Sequence, residues 1–256
     1  MSPDPAIGSS LAPPLTGGID LHCHILPGVD DGPGTIEDAV ALCRLMAREG
    51  VQVAVATPHQ LGRYEGANSA AQIRQAVVQM REHLKRFHVK LEIRAGAEVR
   101  LDERIPRLLQ DDRILTLGDG GKYLLLELPS GLAFDASTVL DRVQAPGVRI
   151  VLAHAERYDF LRAAGAAERW RDAGFILQVN GSSLVGFWTA AAEVAGWDLL
   201  SRGLASVVAS DAHSIGQRRP RWIDTAAQIR RRLGDAALQL LCVENPRRIL
   251  DGEPMP

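Results

Sequence analysis

Residues 19–24 read Ile19-Asp20-Leu21-His22-Cys23-His24, and residues 206–213 read Ser206-Val207-Val208-Ala209-Ser210-Asp211-Ala212-His213. Both are short apolar runs that end in polar side chains. Side chains alternate along an extended segment, so His22 shares one side with His24, and Asp211 shares one side with His213. The same design recurs between these two runs. The run 51–57 leads to His59, 91–97 to Glu98, 149–153 to His154 and 175–179 to Asn180, while 123–128 carries Glu127 at its end. Amphipathic stretches separate them. Thr35 caps a helix with Glu37 and Asp38 in its first turn that ends at Gly50. Further helices are expected over 69–87, 137–144, 166–173, 189–202, 222–233 and 235–242. Seven strands separated by helices imply a parallel sheet, because parallel pairing needs crossovers. An open sheet would string the polar strand ends along an edge. A barrel converges them on one mouth, where barrel enzymes place their sites. The expected fold is therefore α/β, a distorted (β/α)7 TIM-like barrel.

The remainder of the chain fits one such unit. It has 256 residues, 46% of them hydrophobic and 23% charged. Residues 1–18, rich in Pro, Gly and Ser, read as a disordered leader and 19–256 as a single domain. The leader has neither the basic nor the apolar region of a signal peptide. No apolar run approaches the about 20 residues of a membrane span. A formal charge of −2 and a pI near 6.4 give no electrostatic case for nucleic acid. Cys23, Cys43 and Cys242 are too few for a disulfide framework and point to a reducing, cytoplasmic compartment. Only three lysines occur, so nearly all positive charge is arginine. Codon bias accounts for most of it, and phosphate binding for the few arginines near a site.

Five of the seven histidines sit at strand ends; His83 and His88 fall within or just after a charged helix. With Asp211, Glu98, Glu127 and one of the adjacent Asp30 and Asp31, the candidates are too many for one ion. Two ions are the minimum and three fit well. Imidazole and carboxylate donors without thiolate suit Mn²⁺, Fe or Zn²⁺ over a structural cysteine site. Cys23 points away from its histidine neighbours and reads as a small buried hydrophobe. Three divalent ions against Asp31, Glu98, Glu127 and Asp211 leave two positive charges, room for a hydroxide and a phosphate. Clustered ions lower the pKa of bound water towards about 7.

Two other patterns compete. Amidohydrolases also carry His-x-His on strand one, but they bridge their metals with a lysine at a strand end. Here Lys90 and Lys122 precede strands. A Cys-x5-Arg pattern runs from Cys242 to Arg248, yet it contains Glu244 and Pro246 and follows a helix, where a phosphate-cradling loop should follow a strand.

The segments His22-Cys23-His24 through Val29-Asp30-Asp31-Gly32, Ala56-Thr57-Pro58-His59, Gly96-Ala97-Glu98, Leu126-Glu127, Ala153-His154-Ala155-Glu156-Arg157-Tyr158 and Ser210-Asp211-Ala212-His213 together resemble the PHP superfamily. They most resemble its bacterial tyrosine-protein phosphatases of the capsule and exopolysaccharide type, as do Arg63-Tyr64-Glu65 and Gln178-Val179-Asn180. The resemblance runs from about residue 19 to 250. It implies a PHP-type barrel with three divalent ions, typically Mn²⁺, with Mg²⁺ a further option. The ligands it implies are His22, His24, Asp31, His59, Glu98, Glu127, His154, Asp211 and His213. It also implies two arginines at the phosphate: Arg157 and, by an Arg-Pro match, Arg219, with Arg218 the competing choice by spacing. The implied activity is hydrolysis of phosphotyrosine without a covalent intermediate. The implied partner is the cytoplasmic tail of a bacterial tyrosine kinase controlling polysaccharide export. Tyr64, Phe187 and Trp188 could border the mouth and hold a phenyl ring. The alternatives are a phosphatase for a small ester such as histidinol phosphate, and a non-catalytic metal-binding module.

Overall fold

The computed structural model describes residues 15–255, so most of the expected leader lies outside the described residues. Leu15 is already buried, and the first strand, β1 (Gly18–Cys23), follows directly. β1 pairs in parallel with β2 (Val51–Ala56), and β2 with β4 (Glu92–Ala95). A second, six-stranded sheet runs in the order β3 (His59–Gln60), β5 (Glu98–Arg100), β6 (Tyr123–Glu127), β7 (Arg149–Leu152), β8 (Ile176–Asn180) and β9 (Ala205–Ala209). Every paired neighbour is parallel.

The two sheets are one set of seven staves. The second stave breaks between β2 and β3 at Thr57-Pro58, where proline has no N–H to give a ladder. The third breaks between β4 and β5 at Gly96-Ala97. A Cβ on Gly96 would lie 2.6 Å from Cγ1 of Val55, so only glycine lets these two staves approach. Glu98 therefore starts a new strand where the sequence pattern had it ending one. Its N–H donates to the Pro58 carbonyl at 3.2 Å, which carries the pairing across both breaks. The ring closes at the far side. His24 N–H donates to the Ala212 carbonyl and Asp211 N–H to the His22 carbonyl, both at 2.8 Å. Asp20 Oδ1 clamps the same seam by accepting from the N–H groups of Ser210 and His22.

Alternation along the strands sorts the core into an inside and an outside. Ile19, Leu21, Val53, Val55, Tyr123, Leu125, Val151 and Val207 meet in one inner cluster, although they come from both sheets. Their neighbours Ile93, Leu124, Leu126 and Val208 face outward against the helices, as does Cys23 after an irregularity in β1 between Asp20 and Cys23. A single inner core shared by both sheets makes this a distorted barrel despite its broken hydrogen bonding.

The helices lie where the pattern placed them: α1 (Ile36–Arg48), α2 (Ala70–Arg86), then α4 (Ala136–Val143), α5 (Ala166–Asp172), α7 (Ala190–Ser201) and α8 (Trp222–Leu233). Thr35 accepts the Asp38 N–H at 3.1 Å, and Ser69 forms a capping box with Gln72. Two short helices escaped the pattern, α3 (Ile105–Gln110) and α6 (Gly181–Leu184). The last expected helix, α9 (Asp235–Gln239), passes through a π-turn over Leu240–Glu244 into α10 (Asn245–Asp251), whose first turn holds Pro246. Among the described residues no helix is long and apolar enough to cross a membrane.

Candidate metal centre

The C-terminal strand ends bring their polar residues to one point. Buried Glu98 stands at its middle. Its Oε2 lies 3.2 Å from His22 Nε2, 3.4 Å from His24 Nε2 and 3.1 Å from His59 Nδ1, and its Oε1 lies 2.9 Å from His154 Nε2. Asp211 Oδ1 is 3.5 Å from His22 Nε2 and 3.6 Å from His24 Nε2. Asp31 Oδ1 is 3.4 Å from His59 Nε2 and 3.3 Å from His213 Nε2. The donors fall into three groups: His24, Asp31, His59 and His213; His22, His24 and Asp211; His59, Glu98 and Glu127. His154, outside these groups, touches them through Glu98. Eight of the expected ligands thus form three overlapping donor sets, and the ninth is a direct neighbour.

The donors fit divalent ions in chemistry as well as position. The buried nitrogen His154 Nδ1 has no hydrogen-bond partner, and His213 Nε2 has only the Asp31 carboxylate at 3.3 Å. A buried polar atom left so is costly unless something else satisfies it. Burial pulls the His24 imidazole down, but Asp30 and Glu98 overcome this and carry it up to about 10. Burial pushes Glu98 up, and the opposing pull of His22 and His154 holds it well below the usual carboxylate range. Asp211 is held low in the same way by His22 and Arg157, and Asp31 by His213 and His59. His213 goes the other way, down to about 4, through burial and the neighbouring His24 charge. Asp31, Glu98 and Asp211 are thus held ionised, as carboxylate ligands must be.

The competing choices separate cleanly. Asp30 lies behind the site: its Oδ2 accepts from His24 Nδ1 at 2.6 Å and from the His59 N–H, and its Oδ1 from the Gly32 N–H. Asp31 is the carboxylate that faces the histidines. Arg218 reaches Asp31 at 3.1 Å and Asp211 at 3.4 Å. Arg219 turns away towards exposed Asp224 at 3.7 Å. The Arg-Pro match thus points to the neighbour that faces away from the cluster, because the chain from His213 turns back on itself. His213 and Ser214 N–H groups both point at the Arg218 carbonyl, which aims the Arg218 side chain inward. Arg157 reaches Asp211 Oδ2 at 2.9 Å, and its guanidinium lies 3.9 Å from the Trp188 ring centre.

A cavity of about 420 Å³ opens over this cluster, with Arg63, Tyr64, Arg100, Arg157 and Arg218 among its walls. Tyr64 stacks on His59 with centroids 5.2 Å apart. Phe187 does not line the cavity; its ring packs against the Arg221 guanidinium, 4.3 Å from the ring centre. Arg100, paired with Glu127 at 2.9 Å, was not foreseen. Its signal is present, since Glu98-Val99-Arg100 repeats the alternation that puts His22 beside His24. His154 and Asp211 have left-handed backbones, with φ of 36° and 53°. Such residues cost about 1–3 kcal/mol each and gather at functional sites. The decoys lie elsewhere. Cys242 is buried in the π-turn and burial pushes its thiol up; Lys90 and Lys122 are exposed.

Barrel and mouth together define a class: α/β barrels that assemble an imidazole–carboxylate metal centre at the C-terminal ends of their strands. Residues 18–251 match the family model for capsular polysaccharide synthesis, CpsB/CapC. The chain belongs to the CpsB/CapC family. It is 32% identical over 207 residues to tyrosine-protein phosphatase YwqE of Bacillus subtilis, covering 78% of this chain and 79% of that protein. It is 31% identical over 240 residues to tyrosine-protein phosphatase CpsB of Streptococcus pneumoniae, covering 91% of this chain and 98% of the relative. A solved structure from work on YwqE and CpsB, described as unique metal-dependent tyrosine phosphatases, superposes with a TM-score of 0.86 at 28% identity, over 93% of this chain and 96% of the other. A histidinol phosphate phosphatase from Lactococcus lactis shares the fold at 15% identity and a TM-score of 0.53, over 87% of this chain and 94% of the other.

Proposed function

We propose that this chain is a metal-dependent protein-tyrosine phosphatase, and that 18–251 is its catalytic unit. The observation that supports this most is the convergence of nine imidazole and carboxylate side chains beneath a cavity walled by arginines. His22, His24, Asp31, His59, Glu98, Glu127, His154, Asp211 and His213 would hold about three divalent ions, with Mn²⁺ our choice. Bound there, such ions lower the pKa of a coordinated water and polarise a phosphoryl group. Arg157 and Arg218 donate to the phosphoryl oxygens, where a planar fork suits paired acceptors as charge builds. Tyr64 and Trp188 border the opening and give a substrate phenyl ring apolar faces. A phenolate leaving group has a pKa near 10, so the chain needs no strong general acid to expel it. We place the enzyme in the cytoplasm, acting on the phosphorylated tail of a tyrosine kinase that regulates polysaccharide export.

The test is phosphate release from a phosphotyrosine peptide and from histidinol phosphate, after chelator stripping and return of Mn²⁺. Mn²⁺-dependent turnover of the peptide is the expected result. Preference for histidinol phosphate would move the function to small esters. No turnover of either, with ions bound, would leave a metal-binding module.

A further inference from the structure

Gln178 and Asn180 are fully buried at the end of β8, directly behind the site, and the reading above gives neither a role. Three contacts join them to the ligands and a fourth joins them to each other. Gln178 Oε1 accepts the His154 backbone N–H at 3.0 Å and lies 3.0 Å from His22 Nδ1. Gln178 Nε2 donates to Asn180 Oδ1 at 2.7 Å, and Asn180 Nδ2 donates to Asp211 Oδ2 at 2.8 Å.

The direction of this chain is fixed at both ends. A backbone N–H can only donate, so the Gln178 atom facing His154 is its oxygen. An ionised carboxylate can only accept, so the Asn180 atom facing Asp211 is its nitrogen. The remaining amide atoms then meet donor to acceptor. With Gln178 Oε1 set as an acceptor, His22 Nδ1 must carry a hydrogen, and Nε2 is left towards Glu98 and Asp211. With Asn180 Nδ2 and Arg157 on Asp211 Oδ2, Oδ1 is the oxygen left for the histidines.

We infer that Gln178 and Asn180 are positioning residues of the metal centre, fixing the His22 ring so that Nε2 faces the ions and fixing Asp211 so that Oδ1 does. The inference rests on the metal-centre reading above. Asp30 does for His24 what Gln178 does for His22, with a carboxylate in place of an amide. An amide serves here because it has a second end. It accepts from one ligand and, through Asn180, orients another on a different strand. Partners of ligating histidines are worth about 10- to 100-fold in metal affinity.

The experiment is an Mn²⁺ titration of chelator-stripped protein, with free Mn²⁺ read by electron paramagnetic resonance and folding checked by circular dichroism. Gln178→Met keeps the volume and removes both ends; Mn²⁺ affinity should fall about 10- to 100-fold. Gln178→Glu restores the acceptor for His22 and His154 but not the donor to Asn180, and should recover part of that loss. Asn180→Ala keeps Gln178 and frees Asp211, and should weaken binding by itself, which keeps the inference testable if the Met variant does not fold. Wild-type affinity in folded Gln178→Met or in Asn180→Ala would overturn the inference, as would a Glu variant no better than the Met variant. If the wild-type protein takes up no Mn²⁺, the metal-centre reading fails and the inference with it.

Discussion

Replacing Arg218 and Arg219 by alanine, one at a time, separates two neighbours that look alike in sequence. Arg218 is about one-third exposed and reaches both Asp31 and Asp211 at the mouth. Arg219 is 46% exposed and its ion-pair partner, Asp224, is 56% exposed at 3.7 Å. A surface pair of that kind is worth about 0–1 kcal/mol. It has no path to the reaction. A donor aimed at developing charge is worth far more: losing one costs about 100- to 1,000-fold in kcat, or about 2.7–4 kcal/mol. Arg218→Ala should therefore lower kcat/KM on a phosphotyrosine peptide by two to three orders of magnitude, roughly the range for one such donor. Arg219→Ala should stay within about twofold of wild type, as expected for a surface substitution away from the site. Arg218→Lys should fall between, because it keeps the charge and loses the fork. The assay is steady-state phosphate release at saturating Mn²⁺, with metal content measured on each variant. Equal losses in the two alanine variants, or the larger loss in Arg219→Ala, would refute the assignment.

Three further outcomes are expected. His154→Ala and Asp211→Ala should each nearly abolish turnover while leaving the far-ultraviolet circular dichroism intact; full activity in both would remove the metal centre from the reaction. Arg157→Ala should lower kcat/KM with the ions still bound, and Trp188→Ala should reproduce part of that loss, because the indole 3.9 Å from the guanidinium holds it over the mouth; a Trp188→Phe variant as impaired as the alanine one would argue against ring support. Stripping with chelator should lower the melting temperature and Mn²⁺ should restore it, since a ligand at about 1,000 times its Kd adds about 4 kcal/mol per site. A melting temperature indifferent to Mn²⁺ would mean that the folded protein does not bind it.

The staves and the cluster of candidate ligands at their ends were legible because both follow a period of two, which the chain prints directly. His22 with His24 and Asp211 with His213 needed nothing more than alternation. What the period could not show is where a stave breaks. Pro58 and Gly96 look like ordinary ends of strands, and only packing across the barrel, Gly96 against Val55, makes the chain resume as β3 and β5. Asp30 and Asp31 are adjacent, so composition cannot rank them; the tight turn from Gly28 to Gly32 points one inward behind His24 and the other towards His59. Arg218 and Arg219 fail for the same reason, since a loop has no period to read. Gln178 and Asn180 could be quoted as a motif but not interpreted, because their role is a relation to His22 and Asp211 on other strands.

The seam that closes the barrel joins Asp20 to Ser210, positions 190 residues apart in the chain. Contacts of such separation form late in folding, after the loop between them has lost its freedom. Both imidazole–imidazole and carboxylate–imidazole pairs sit on that seam, one on each side. An emerging polypeptide thus carries His22 and His24, two of the nine candidate ligands, long before Asp211 and His213 are synthesised. The centre can be completed only once β9 has docked on β1, which makes acquisition of the ions a report that the whole barrel has been made.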